Sequence, residues 1–299
     1  MKKMILPMIA VLMIVLISGC TSDDGPTVSK GYGLEITNFT SSLGTLYSLQ
    51  TSHVSMRIEN RGESKAMKDN GLVLLTIPSD WEVTQDLNLP FKKDITFANP
   101  NTGTDPGSEY FTWTVKAPAI SAGITRPDII RGRVFYDYET KATGNIVIYP
   151  ESELLADKEA GRKLSTSSFQ YSRAPVTVSM SLPQDPVSVY SDGETFSINF
   201  EFNNIGGGAI YKPGIVTADD YKIEDTERNI LDLDVSIAGL EIDETCFDNI
   251  QFFKETAIAM CDVTVEPVPI TSQTYPITLS ATYGYYIEDT VDIKVIGKD

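Results

Sequence analysis

Thr195-Phe196-Ser197-Ile198-Asn199-Phe200-Glu201-Phe202 sets four apolar side chains, Phe196, Ile198, Phe200 and Phe202, against Ser197, Asn199 and Glu201. A period of two places the sets on opposite faces of an extended strand, one half-buried and one wet. His53 to Glu59 repeats the pattern, with Val54, Met56 and Ile58 opposed to Ser55, Arg57 and Glu59. Leu72 to Ile77 is a more continuously apolar strand, and Tyr110 to Lys116 carries Phe111, Trp113 and Val115 on one face. Gly132 to Tyr138 and Asn145 to Tyr149 follow as two further strands, and Pro150 ends the set. Ile277 to Tyr283 and Thr290 to Ile296 read as a closing hairpin pair. Clusters of Gly, Pro, Asn and Asp separate these runs at spacings typical of sandwiches, so the expected class is all-β.

Two landmarks recur at nearly one offset. Asn60-Arg61-Gly62 corresponds to Asn204-Ile205-Gly206, 144 residues on, and Tyr136-Asp137-Tyr138 corresponds to Tyr283-Gly284-Tyr285, 147 residues on. That is a tandem duplication in outline. The predicted organisation is a β-sandwich over 33–150, a linker over 151–175 and a second sandwich over 176–299. Glu151 to Gly161 has strong helix formers and a Gly stop, so the linker should contain one short helix. Such a helix is either a semi-rigid spacer or a surface helix packed on the first domain.

An Asn then a Gly at a strand end has a backbone reason: Asn tolerates the left-handed region, and Gly takes positive φ at no steric cost. Alternating strands with Asn-x-Gly and a following Ala66 or Ala209 resemble the Ig-like modules of the CARDB type, the cell-adhesion-related domains of prokaryotes. Ile77-Pro78-Ser79-Asp80-Trp81, followed by Tyr110 to Pro118, also resembles the Ig-like module that accompanies some secreted glycosidases. The resemblance covers about 33–149 and 176–296 and implies two tandem Ig-like β-sandwiches. Its motifs mark architecture more than activity. The second copy departs from it, with extra glycines at Gly206-Gly207-Gly208 and no tryptophan.

Ahead of these modules, Lys2 and Lys3 precede an apolar run from Met4 to Ile17, and Ser18-Gly19 supplies the small residues of a cleavage site. This is the pattern of a secretory signal, short of the roughly 20 apolar residues that span a bilayer core. Cys20 directly after Ile17-Ser18-Gly19 resembles the lipobox of bacterial or archaeal lipoproteins, in which this Cys carries a diacylglycerol. Two acyl chains would supply a stable membrane attachment. The expectation is a signal and lipobox helix over 1–20, a tether over 21–32, and an exported chain anchored by Cys20 to membrane lipid at the outer face of the cytoplasmic membrane. An uncleaved anchor helix is the rival reading. Cys246 and Cys261, an even pair in an exported chain, are expected to form a disulfide.

The net charge of −17 is uneven. Residues 21–175 carry −3, whereas 176–299 hold 6 Lys and Arg against 22 Asp and Glu. Such a field repels phosphate backbones, which argues against a nucleic-acid partner. Acids concentrate at Asp219, Asp220, Glu224, Asp225, Asp232, Asp234, Glu241, Asp243 and Glu244, the best-guess contact or cation face. Asp232 and Asp234 alternate with Leu231, Leu233 and Val235, which puts both on one solvent face of a strand. Ca²⁺ is the cofactor that oxygen-rich clusters would suit, but no Asp-x-Asp-x-Asp-Gly loop is present, so the reading carries no metal site and no cofactor.

Gly206-Gly207-Gly208 lacks the Lys-Ser/Thr of a phosphate loop and reads as a turn. His53 is the single histidine, without a Gly-x-Ser-x-Gly elbow elsewhere, so no catalytic residue is assigned and the chain is read as a non-enzyme. Trp81 with Trp113, or Tyr283, Tyr285 and Tyr286, would suit sugar stacking, although aromatics alternating on strands more often pack a core. Asn38-Phe39-Thr40 is a glycosylation sequon. Together these features describe an envelope lipoprotein that binds, adheres or scaffolds through a protein or glycan partner. The alternative is an accessory or spacer subunit of an envelope enzyme or transport complex.

Overall fold

The computed structural model describes residues 32–99, 102–217, 221–248 and 250–298. The signal, nearly all of the tether and Cys20, as well as Asp219 and Asp220, lie outside the described residues. The first half contains β1 (Leu34–Ser41), β2 (Thr45–Tyr47), β3 (Thr51–Asn60), β4 (Gly71–Thr76), β5 (Glu82–Val83), β6 (Asn88–Pro90), β7 (Ser108–Lys116) and β8 (Thr125–Pro150). Helix α1 (Glu151–Glu159) and β9 (Ser168–Tyr171) follow. The second half contains β10 (Val176–Ser181), β11 (Val187–Val189), β12 (Glu194–Asn204), β13 (Ala209–Tyr211), β14 (Ile230–Ile237), β15 (Glu241–Ile242), β16 (Ile250–Gln251), β17 (Thr256–Val265) and β18 (Gln273–Ile296).

The protein is all-β in character, built of open sheets packed as in a sandwich. One four-stranded sheet has the order β1-β3-β7-β5 and another the order β10-β12-β17-β15. Both cover a single ten-stranded sheet whose backbone is β16-β14-β18-β8-β4-β6. The pleat explains why they share one face of it. Along β8 the buried side chains Ile130, Val134, Tyr136, Tyr138, Ala142, Ile146 and Ile148 are all at even positions, without a phase slip. Along β18, Ile277, Leu279, Ala281, Tyr283, Tyr285, Ile293 and Val295 keep one phase likewise. These residues and the inward faces of both smaller sheets form one continuous buried cluster.

The expected closing hairpin is absent, and so is the break between the two strands expected before Pro150. Gly132–Tyr138 and Asn145–Tyr149 belong to the one strand β8, and Ile277–Tyr283 and Thr290–Ile296 to the one strand β18. The two strands pair antiparallel over 24 consecutive positions, from Gln273↔Ile148 to Ile296↔Thr125. Each long strand therefore runs from one half into the other. The start of β8 pairs with β4 of its own half, and its end pairs in parallel with β11 of the second half. Conversely, β18 starts beside β14 of its own half and ends in parallel with β2 of the first. The physical reason is the sequence between the expected strands: neither 139–144 nor 284–289 holds an Asn-Gly or Asp-Gly pair to turn the chain back, so each strand runs straight on.

The linker helix forms where expected, directly after Pro150, which suits the start of a helix because its missing N–H needs no partner there. It is docked: Leu154 packs with Val147 and Tyr149 on the outer face of β8. Beyond it, β9 pairs with β8 over 142–145, so the segment 151–175 is bound along the long strand.

Candidate functional site

The register Tyr138↔Tyr283, Asp137↔Gly284 and Tyr136↔Tyr285 sets the two Tyr-x-Tyr stretches against each other across the ladder. All four tyrosines are buried, with Tyr136 and Tyr138 edge to face at 5.7 Å between centroids and Tyr136 and Tyr285 at 5.8 Å. Burial pushes every one of these phenols upward, Tyr138 to about 12, so the cluster stays neutral.

The Asn-x-Gly landmark closes on this cluster in both halves. The Tyr138 hydroxyl donates to Asn60 Oδ1 at 3.1 Å and accepts from the Ser64 amide, while Asn60 Nδ2 donates to the Ser64 and Ile95 carbonyls. In the second half the Tyr285 hydroxyl donates to Asn204 Oδ1 at 2.8 Å and accepts from the Gly208 amide, and Asn204 Nδ2 donates to the Gly208 carbonyl. The glycines are there because the hydroxyls come so close: a Cβ at Gly62 would lie 2.1 Å from Tyr138 Oη, and one at Gly206 2.4 Å from Tyr285 Oη. Gly206-Gly207-Gly208 is thus a turn over a tyrosine.

On the opposite, outer face of the same waist, Val216 of the connection between β13 and β14 packs with Leu72, Leu74, Phe135 and Tyr211, and Ile215 and Ile223 lie against them. Gly284 makes room for the Tyr211 ring of β13, since a Cβ there would fall 2.0 Å from it. Asp137 fastens the connection. Its Oδ2 accepts from Asn70 Nδ2 at 2.9 Å and from the Gly214 amide at 3.0 Å, one donor from each half. Burial nevertheless pushes the Asp137 carboxyl up to about 6, partly opposed by those two hydrogen bonds.

Beside this fastening lies a cleft of about 380 Å³. Its apolar floor and wall come from Leu74, Phe135, Ile210, Ile223 and Tyr286, and its charged groups are Arg133, Lys222 and Arg228. Arg133 Nε donates to Glu288 Oε2 at 3.0 Å, and Arg228 Nε lies 3.4 Å from Asp225. Asn229 turns the chain at the mouth with φ of 60°, a conformation Asn tolerates, and its amide donates to the Ile210 carbonyl. No acid lines the cleft among the described residues, which is unusual for the half that supplies most of the negative charge.

Among the described residues, the acids singled out from the sequence do not converge. Asp232 and Asp234 are exposed on one face of β14, as their spacing requires. Glu224 and Asp225 begin a 3-10 turn at the end of the β13–β14 connection, where the Glu224 amide donates to Glu227 Oε2. Glu241 is on the short edge strand β15. Asp243 accepts from the Thr245 amide at 2.9 Å, which holds its carboxyl below the usual range, and Glu244 starts the next turn. Among the described residues no group of three His, Cys, Asp or Glu is placed to hold a metal ion.

Cys246 and Cys261 form the disulfide, tying that turn to β17. Asn38 is exposed on β1, next to a register shift between Ile36 and Asn38. His53 is exposed on β3 against Thr114. Trp81 and Trp113 are core residues, Trp81 donating to Asp128 at 2.9 Å, so they offer no stacking surface. Sequence reasoning missed the cleft. The visible signal was local: Lys222 and Arg228 are two of only six basic residues in 176–299.

Neither a protein-family model nor a curated protein sequence matches the chain. Comparison with solved structures returns the Enterococcus faecalis MSCRAMM ACE, which binds its ligands by the collagen hug mode, at 6% identity and a TM-score of 0.17 over 88% of this chain and 95% of that one. It also returns Escherichia coli alpha-2-macroglobulin, at 8% identity and a TM-score of 0.14 over 88% of this chain and 32% of that one. Overlaps at these scores carry no argument about this chain.

Proposed function

We propose that this protein is a non-catalytic binding or scaffolding protein of the cell envelope, built of two Ig-like modules and attached to membrane lipid through an acylated Cys20. The observation that carries the scaffolding role is the β8–β18 ladder. Its 24 pairs run through both halves, so hydrogen-bonded strands join the modules where a single-chain linker would let them swing. At about 3.3 Å per residue such a ladder extends roughly 80 Å. Gly33, where the tether ends, sits at the waist against Pro175 and Tyr136. An anchor reaching the body there leaves both ends of the ladder available to partners.

The same stiffness favours a second reading, in which the protein is a spacer subunit of an envelope enzyme or transport complex. Crosslinking the intact protein in its membrane, followed by mass spectrometry, separates the two. One stoichiometric partner identifies a complex subunit; varied surface material identifies an adhesin; recovery of no envelope component overturns both. Fractionation of a Cys20→Ser variant tests the anchor. Release into the soluble fraction is expected, and retention on the membrane would restore the uncleaved helix. Replacing Asp232, Asp234, Glu241, Asp243 and Glu244 together asks whether the acidic surface makes the contact.

A further inference from the structure

We propose that the loop end of the first module, formed by 47–50 and 117–124, is a lipid-facing surface that seats on the bilayer holding an acylated Cys20. The inference rests on the lipid anchor and deepens it: of the two free ends of the ladder, one takes the membrane itself as its partner.

Two loops build this end. Strand β2 stops at Tyr47 beside Ile296 of β18, and β3 starts at Thr51 opposite Lys116 of β7. The loops are tied to each other: the Leu49 amide donates to the Pro118 carbonyl, the Ala117 amide to the Gln50 carbonyl, and the Ile120 amide to Ser48 Oγ at 3.0 Å. On this fixed surface Tyr47, Leu49 and Ile124 are 52%, 54% and 53% exposed. No Asp, Glu, Lys or Arg occurs in 41–52 or 117–125, unusual in a chain of which 22% is charged. The charged groups at the border answer one another, Asp80 with Arg126 at 2.6 Å and Glu82 with Lys116 at 2.9 Å. Lys298 Nζ lies 5.8 Å from the Tyr47 ring centroid, and an amphipathic ring with a lysine beside it suits the headgroup level of a bilayer. Leu49 has φ of 64°, a left-handed conformation that Gly, Asn or Asp adopt more readily than a bulky apolar residue. An apolar side chain held outward on such a backbone points to a use for that side chain.

The reach of the tether selects the bilayer as the occupant. The chain from Cys20 to Gly33 spans at most about 43–47 Å. Gly33 lies at the waist against Tyr136, and along β8 the first end, at Thr125, is roughly 36 Å from there. An acylated Cys20 can therefore sit in the bilayer while this end rests on it. The far end, at Pro150, is roughly 46 Å away and would take up the whole reach. It presents Tyr190 and Ile270 likewise, but its turns carry Asp192 and Glu266, carboxylates that resist leaving water. Three apolar side chains bind a bilayer weakly on their own. Anchoring makes their contact intramolecular and raises their effective concentration, so a weak contact suffices to set which way the molecule points. The ladder then stands away from the membrane and carries the acidic half outward.

Site-directed fluorescence on the full, acylated chain in phosphatidylcholine vesicles tests the orientation. Ala122→Cys at the first end and Tyr190→Cys at the far end are each labelled with nitrobenzoxadiazole, and spin-labelled lipid is the quencher. Cys246 and Cys261 are joined and Cys20 is acylated on this reading, so the introduced thiol takes the label. The label at 122 should shift to the blue and lose most of its emission to the spin-labelled lipid, whereas the label at 190 should lose none. Adding Leu49→Asp and Ile124→Asp should abolish the quenching without releasing the anchored protein. Asp tolerates the left-handed backbone at position 49, and Ile124→Asp alone gives the same readout should the pair fail to fold. Equal quenching of the two labels, no quenching at 122 because a second copy or another protein covers that end, or quenching that survives the aspartates would each overturn the proposal and leave the anchor standing. A wild-type chain that does not float with the vesicles overturns the anchor and the proposal with it.

Discussion

Asn60 shows how much one side chain holds at the waist. It is fully buried, and its amide group makes four hydrogen bonds: to the Ser64 and Ile95 carbonyls, from the Gly62 amide and from the Tyr138 hydroxyl. Removing it strands several buried polar groups, each costing about 1–3 kcal/mol. Asn60→Ala should therefore destabilise the protein by about 3 kcal/mol or more, and Asn204→Ala by less, because the Asn204 clasp is only partly buried. Urea unfolding of the two variants checks the order. Asp137 makes the opposite prediction. Its carboxyl rises from 3.8 to about 6 on folding, so the native state binds the proton more tightly than the unfolded chain. The associated stability is complete below about pH 4 and is lost as the pH climbs through 6. Because the group keeps some solvent contact, the loss is about 1–2 kcal/mol rather than the full value of the shift. Asp137→Asn should accordingly stabilise the protein at pH 7 and change little at pH 4, read as unfolding midpoints at the two values.

At the level of elements, strands were legible wherever alternation met a turn signal. His53–Glu59 and Thr195–Phe202 lie inside β3 and β12, and the helix after Pro150 lies within its expected bounds. What sequence spacing did not disclose was continuity. The apolar phase at Tyr136 and Tyr138 passes through Thr140 and Ala142 to Ile146, but Thr140 is polar and buried, so the run looks interrupted there. Its hydroxyl is satisfied by the Val176 carbonyl and lies 3.0 Å from the Tyr283 hydroxyl, partners more than thirty residues away that no local pattern encodes. The cleft was hidden for a similar reason, since Arg133 and Arg228 meet only through the fold. The Cys246–Cys261 pair, by contrast, was expected from the even pair of cysteines after Cys20 in a chain read as exported. It closes a loop of 15 residues, worth about 3 kcal/mol by the chain entropy it removes. Reduction should lower unfolding stability by about that amount, measured by urea titration with and without a thiol reductant.

For the whole molecule, the shared sheet makes the two halves thermodynamically inseparable. Unfolding either end requires breaking half of the β8–β18 ladder and exposing a cluster of buried side chains continuous with the other end. Calorimetry should show one cooperative transition, and two resolved transitions would mean that the halves melt independently. Charge is distributed differently from structure: 176–299 hold most of the negative excess, yet their strands are shared with the nearly neutral first half. The described acids singled out from the sequence are dispersed over β14, β15 and two turns, whereas Lys222 and Arg228 line one cleft with Arg133.

The exchange of β8 and β18 also imposes a schedule on synthesis. The strand beside β2 and the start of β8 is the end of β18, so the first half lacks its neighbour until residue 296 has been made. Ribosomes add about 5–20 residues per second, so a chain that has reached Pro150 waits roughly 7–30 s for its missing strand. Throughout that interval the first-made module has an open edge, a state that a chaperone or a second nascent chain can occupy, and only the last strand closes it.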